Sequence, residues 1–378
     1  MKNIGFLHDK NIGNIKIGHL RGNYIDYKSN VQLFDFYELR KLIKFFSTVE
    51  SKFKNAKLIY NIVYNKRVEF ADKLTYILLE CLLYDQIINR NNNIRLYLQY
   101  KSTIKTEGIK DSIIFHTRNE EEFKKKFFNN ISAYHYRKLV NFSNYNNKPE
   151  IISIVLSDLR AFLTNCEVEQ TQSNQLAEIS VELIDNALEH SQSDCLFDID
   201  VTESTYRQED ENTGEYMAVN IAVIDFSPNT LGLGIKNSVN DNNCNIEPYK
   251  KLIGIKEIHE NYFNSDYNND QFYLLSTFQN KISSRIDSGL TGGKGLTKLI
   301  EGLQKVSKTD ICYVVSNDIC LVFKKEHIKQ DADKWVGFNE ENDCKLPPMK
   351  ESLLKSPVNI IGTAYNLTFV LKRSNKND

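Results

Sequence analysis

"VELIDNALEHS", residues 181–191, sets acidic and amide side chains at helical spacing. At 100° per residue, Glu182, Asp185, Asn186, Glu189 and His190 share one arc of roughly 140°, while Val181, Leu183, Ile184, Ala187 and Leu188 take the other side. One reading is an amphipathic helix that shows water an acidic face. The residue types allow a second. A carboxylate can accept a proton from water, and an amide oxygen one turn later can ligate Mg²⁺ without adding charge. Glu182 and Asn186 can divide those two jobs.

Working upstream, "EIISIVLSDLRAFLT" (150–164) reads as another helix, and "SNYNNKP" (143–149) as a polar linker ended by Pro149. Residues 119–142 read as a charged amphipathic helix. Before them, the strand-like "KLIYNIVY" (57–64), the helical "EFADKLTYILLECLLYDQII" (69–88) and the strand-like "IRLYLQYK" (94–101) follow a βαβ rhythm. That predicts a small α/β domain over 1–118.

Downstream come two strands, "LFDIDVT" (196–202) and "MAVNIAVIDF" (217–226), around a polar loop. The second stops at Asp225, on the rim of a sheet, where an aspartate either caps the next turn or meets a ligand. Residues 236–288 are polar and Asn-rich, with two short helices expected. "LTGGKGLTKLIEGL" (290–303) then opens a helix with Gly292, Gly293 and Gly295. The first N–H groups of a helix lack intrahelical acceptors and attract anions, and glycines let phosphate oxygens come close. An ordinary capping turn is the plain alternative. A Walker A loop does not fit, because Ser288 stands where its first glycine belongs; a dinucleotide fingerprint does not fit, because Lys298 takes its last position. A hairpin over 311–325 with Asn317-Asp318 at its turn, and a last strand over 362–373, complete the chain.

The 378 residues suffice for two or three domains, and a net charge of −1 gives no field that draws the chain to nucleic acid or an acidic membrane. Seven scattered cysteines without a C-x-x-C pair point to reduced thiols. The N-terminus lacks an apolar signal region, and no run of 18 apolar residues occurs. A cytoplasmic protein without membrane spans is expected.

A helix with E-x-x-x-N-A, a strand ending in Asp before a glycine-containing loop, and G-G-x-G at a helix start stand in a fixed order. In that order the chain resembles the GHKL superfamily of ATP-binding proteins, which includes gyrase B, heat-shock chaperones, histidine kinases, MutL and anti-sigma serine kinases. "ELIDNALEH" is similar to its N-box. "DFSPNTLGLGI" is similar to its G1 box, with Ser227 at the first glycine position and Gly232 and Gly234 later. "TGGKGLTKL" is similar to its G2 box, and "GTAYNLTFVL" to its closing strand. The resemblance spans about 150–373.

It implies an α/β (α+β) fold whose C-terminal part, 150–378, is a Bergerat-type two-layer sandwich with helices on one face of a mixed sheet. A helical connector and linker (119–149) and a smaller, loosely STAS-like domain (1–118) would precede it. The implied ligands are ATP and Mg²⁺. Asn186 would hold the metal and Glu182 would activate the attacking water. Asp225 and Thr363 would meet adenine, with Gly232 and Gly234 in the adjoining loop. Gly292, Gly293, Lys294, Gly295, Leu296 and Thr297 would line the phosphates, under a lid formed by 236–289.

None of the seven histidines (8, 19, 116, 135, 190, 259, 327) has the setting of a phosphoacceptor. The implied function is a slow Mg²⁺-dependent ATPase that switches conformation or dimerisation in a bacterial regulatory or phage-defence system, read by a protein partner encoded nearby. The alternatives are a serine/threonine kinase acting on a STAS-like partner, and a nucleotide-binding module without turnover.

Overall fold

The computed structural model describes residues 20–54, 56–103, 106–117, 119–143, 148–203, 216–240, 246–283, 295–306 and 312–373. The first unit alternates strands and helices: β1 (Tyr24–Ser29), β2 (Leu33–Phe34), α1 (Phe36–Lys52), β3 (Ile59–Tyr64), β4 (Val68–Phe70), α2 (Lys73–Tyr84), β5 (Asn93–Tyr97) and β6 (Tyr100–Lys101). β1, β3 and β5 pair in parallel, as do β2, β4 and β6. This is the expected βαβ rhythm. α1 lies outside the elements expected from the sequence, although Asp35 caps its first N–H groups and Leu39, Leu42, Ile43, Phe46 and Val49 give it one apolar face.

After α3 (Ile113–His116), the second unit begins inside the stretch expected to be a helical connector. α4 (Glu120–Phe128) ends at Asn129, and β7 (Asn129–Ile131) and β8 (His135–Val140) replace the rest of the expected helix. The ladder of β8 with β9 (Cys195–Val201) decides this, because it lets His135 and Arg137 reach buried acidic partners. α5 (Lys148–Asn165) and α6 (Gln170–Asn186) precede β9. β10 (Tyr216–Asp225), α7 (Leu233–Asn240), α8 (Glu247–His259), α9 (Asn269–Ser276), α10 (Gly295–Val306), β11 (Tyr313–Val322) and β12 (Leu353–Lys372) follow it.

The larger sheet has the order β11-β12-β10-β9-β8-β7, and every pairing in it is antiparallel, so the expected mixed sheet is corrected. Nor is 311–325 a hairpin. β11 runs straight through Asn317, which adopts φ 57° as a bulge, and both of its halves pair with the long β12.

Both faces of this sheet are covered. Leu176, Ile184, Leu299 and Leu303 from α6 and α10 share one core with Phe197, Ile199, Ile221 and Leu367. On the other face Leu196, Ala222, Ile224, Val315 and Ala364 share a core with α1, α2 and the inner side chains of the parallel sheet, Ile25, Tyr27, Ile62 and Tyr64. α2 is therefore enclosed between two sheets, and every one of its residues is buried. A helix in that position must be apolar all round or satisfy its polar groups internally.

α2 does both. Lys73 pairs with Asp198, at 2.5 Å, and with Asp200. Arg137 bridges Asp198 and Glu80, and His135 Nε2 lies 2.9 Å from Asp198. Tyr313 donates to Asp72 at 2.8 Å, and the Leu74 N–H donates to Asn366 at 3.1 Å. Burial alone would raise the Asp198 carboxyl, but Arg137, His135 and Lys73 hold it well below the usual range. The first unit is thus pinned to the middle of the sheet by charge pairs as well as by apolar packing.

The polar span 236–289, expected to act as a lid, carries buried helices in its described part. Tyr249, Leu252 and Ile255 of α8 and Phe272 and Leu275 of α9 enter the core, and Phe278 packs against Phe323 and Phe338. Their helical spacing is diluted by asparagines, which occupy the exposed positions. Residues 284–289 lie outside the described residues. His259 is buried here. Its Nδ1 lies 2.6 Å from the Tyr267 hydroxyl and its Nε2 lies 3.0 Å from the Cys344 carbonyl. Burial holds its pKa below the ordinary histidine range, against the opposing pull of the Cys344 carbonyl and Asp343.

The unfolded chain takes up that proton near pH 6.5 and the folded chain only at lower pH, so stability falls as pH drops below about 6.5. Urea midpoints at pH 7.5 and 5.5 should show a larger acid loss for the native protein than for His259→Gln. Equal losses would exclude His259 as a contributor.

None of the six described cysteines forms a disulfide. Among the described residues no helix is long and apolar enough to cross a membrane.

Candidate functional site

β10 is apolar apart from the buried Asn220 until its last residue, and Asp225 closes it at the rim of the sheet, 5% exposed. Its Oδ1 accepts the Ser227 N–H at 3.1 Å, and the fully buried Ser227 accepts the Asn229 N–H at 3.0 Å. Two short side-chain turns thus carry the chain away from the strand. Gly362 presses against this corner from β12. A Cβ there would stand 2.4 Å from the Asp225 carbonyl oxygen and 2.7 Å from Oδ1, and its φ of 116° also demands glycine. The next residue, Thr363, is buried beside it.

The helix carrying Glu182 and Asn186 ends at the same rim. A π-helical turn, Ala187–Ser191, follows Asn186, and Gln192 turns the chain at φ 50°. Cys195 then pairs with Asp225, and the Phe226 N–H donates to Ser193 at 3.3 Å. π-turns within α-helices recur at functional sites. Glu182, Asp185, Asn186 and Glu189 are all partly buried, which disfavours a freely solvated acidic face. Among the described residues, Asn186 Nδ2 is buried with no hydrogen-bond partner. The His190 side chain lies outside the described residues.

No family model, curated protein or solved structure matches the chain.

The remaining sequence-derived residues divide into two sets. Gly232, at φ 90°, lies against the backbone of α9, where a Cβ would stand 2.5 Å from the Tyr273 carbonyl; its present use is close packing. Gly234 lies within α7. Gly292, Gly293 and Lys294 lie outside the described residues. Gly295 is the first residue of α10, the Leu296 side chain belongs to the core, and the buried Thr297 Oγ1 has no hydrogen-bond partner among the described residues. α10 crosses α6 closely, since a Cβ on Gly302 would stand 2.3 Å from Ile179 Cδ1. Seven residues from that contact on each helix, about 10 Å of axis, are Gly295 and Asn186.

The structure therefore brings Asp225, Thr363 and the end of the Asn186 helix to one rim. It adds Ser316, which the sequence did not single out: a serine in a β-rich run carries no signal until its partners are known.

Proposed function

We propose that this rim binds Mg·ATP and that the protein is a slow ATPase whose nucleotide state switches its conformation or self-association. The convergence of Asp225 with Thr363 and with the end of α6 is the observation that carries this reading, and it accords with the resemblance to the GHKL superfamily and its Bergerat-type domain. Asp225 then accepts a hydrogen bond from the adenine amino group, beside Thr363. The N-terminal turn of α10 faces the phosphates, an arrangement in which helix N–H groups and the helix dipole favour negative charge.

Asn186 suits Mg²⁺. Its side chain is partly buried, and its neutral carboxamide oxygen is a hard ligand that phosphate oxygens and water would complete around the ion. The metal supplies charge neutralisation at the phosphates. Glu182, one turn before, would take a proton from the attacking water. α6 and α10 touch at Ile179 and Gly302, and in this reading Asn186 near the end of α6 and Gly295 at the start of α10 would bring the metal and phosphate ligands together.

The test is base selectivity. Asp225→Asn should weaken ATP and erode the preference for ATP over GTP, measured by competition binding. An unchanged preference would reduce Asp225 to a turn-capping residue.

A further inference from the structure

Ser316 sits on β11 next to the bulge at Asn317, 1% exposed. Its Oγ accepts the Leu231 N–H at 2.8 Å and donates to the Gly362 carbonyl at 3.2 Å; Thr363 Oγ1 is 3.4 Å away. One hydroxyl thus ties together three chain segments that meet nowhere else in sequence: the loop leaving Asp225, the β11 strand, and the Gly362-Thr363 corner that presses on Asp225.

We propose that Ser316 is a positioning residue for purine recognition, holding the 226–231 loop and the Gly362-Thr363 corner in the register that aims Asp225 and Thr363 at the base. The proposal rests on the nucleotide reading above. Ser316 does not touch the ligand in this account. Its neighbours Val314 and Val315 are fully buried apolar residues, so packing alone would be served by alanine or valine. A hydroxyl is needed because the Leu231 N–H, 85 residues away in sequence, finds its acceptor there. Without it the loop carrying Ser227 and Asn229 loses this tie to β11, and the Ser227 turn that Asp225 accepts from is held less firmly.

The experiment measures Kd for Mg·ATP and Mg·GTP on the full chain, with melting temperature alongside, for the native protein, Ser316→Ala and Ser316→Thr. Native protein should prefer ATP. Ser316→Ala should lose roughly tenfold in ATP affinity, the size of one hydrogen bond, and lose much of the preference over GTP; Ser316→Thr, which keeps the hydroxyl, should restore both. A merely structural serine would lower the melting temperature of Ser316→Ala and leave the ATP-to-GTP ratio within twofold, which overturns the inference while the nucleotide reading stands. Native protein that binds neither nucleotide overturns both. Should Ser316→Ala fail to fold, Ser316→Cys, closer in volume and a weaker hydrogen-bonding group, carries the same comparison of ratios.

Discussion

Arg137→Met will lower the stability of the protein by about 3–5 kcal/mol, the range seen when one member of a buried charge network is removed. Arg137 is 1% exposed and pairs with Glu80 and Asp198, neither of which reaches water. Methionine fills much of the volume, so the loss reflects two carboxylates left without their shared cation. Lys73 and His135 continue to face Asp198, but among the described residues Glu80 keeps only the hydroxyls of Tyr76 and Ser112 as hydrogen-bond partners. Denaturant titration gives the number. A loss under about 1 kcal/mol would mean that apolar packing alone holds α2 between the two sheets. Replacing Glu80 and Arg137 together by apolar residues should recover part of the loss, because it removes the uncompensated charge.

Glu182→Ala will leave Mg·ATP affinity close to that of the native protein and lower turnover roughly 10²–10⁴-fold, the usual contribution of a general base. On the proposal that Asn186 ligates the nucleotide's Mg²⁺, Asn186→Ala will act differently: Mg²⁺-dependent affinity and turnover should fall in step. The two substitutions lie one turn apart on α6 and share a partly buried setting, so a non-specific disturbance of the helix would give them the same phenotype. Equilibrium binding and steady-state hydrolysis on both variants separate the cases. Undiminished turnover in Glu182→Ala removes it from the chemistry, and two silent variants remove α6 from the site.

The parts of the fold legible in the sequence are those where local pattern and tertiary environment agree. α2 reads as a helix because its continuous apolar run suits burial on all sides. β10 reads as a strand that stops at Asp225 because its apolar run ends there. The misreadings arise where a tertiary partner changes the meaning of a residue. "AYHYRKLV" (133–140) looks like part of a polar helix until Asp198 and Glu80 are present to receive His135 and Arg137. Asn317-Asp318 looks like a turn until β12 is seen to be long enough to pair with both halves of β11. The asparagines of 236–283 suggest a loose polar segment, but the helices there bury Tyr249, Phe272 and Tyr273 in the core.

At the proposed site, Asp225 and Asn186 stand out in the sequence by residue type and order, and Thr363 only through the resemblance of its strand. Gly232 could be named too, yet its glycine character serves the approach of α9. Ser316 could not be named at all, since its partners lie on two segments far from it in the chain.

The central claim is tested most directly by titrating the folded protein with ATP in the presence of Mg²⁺ and following heat and melting temperature together. The account predicts saturable binding of about one nucleotide per chain, with a stabilisation near 2.7 kcal/mol once ATP reaches about a hundred times its Kd. Absence of both heat and any melting shift at millimolar ATP and Mg²⁺, in a sample shown to be folded, would contradict it.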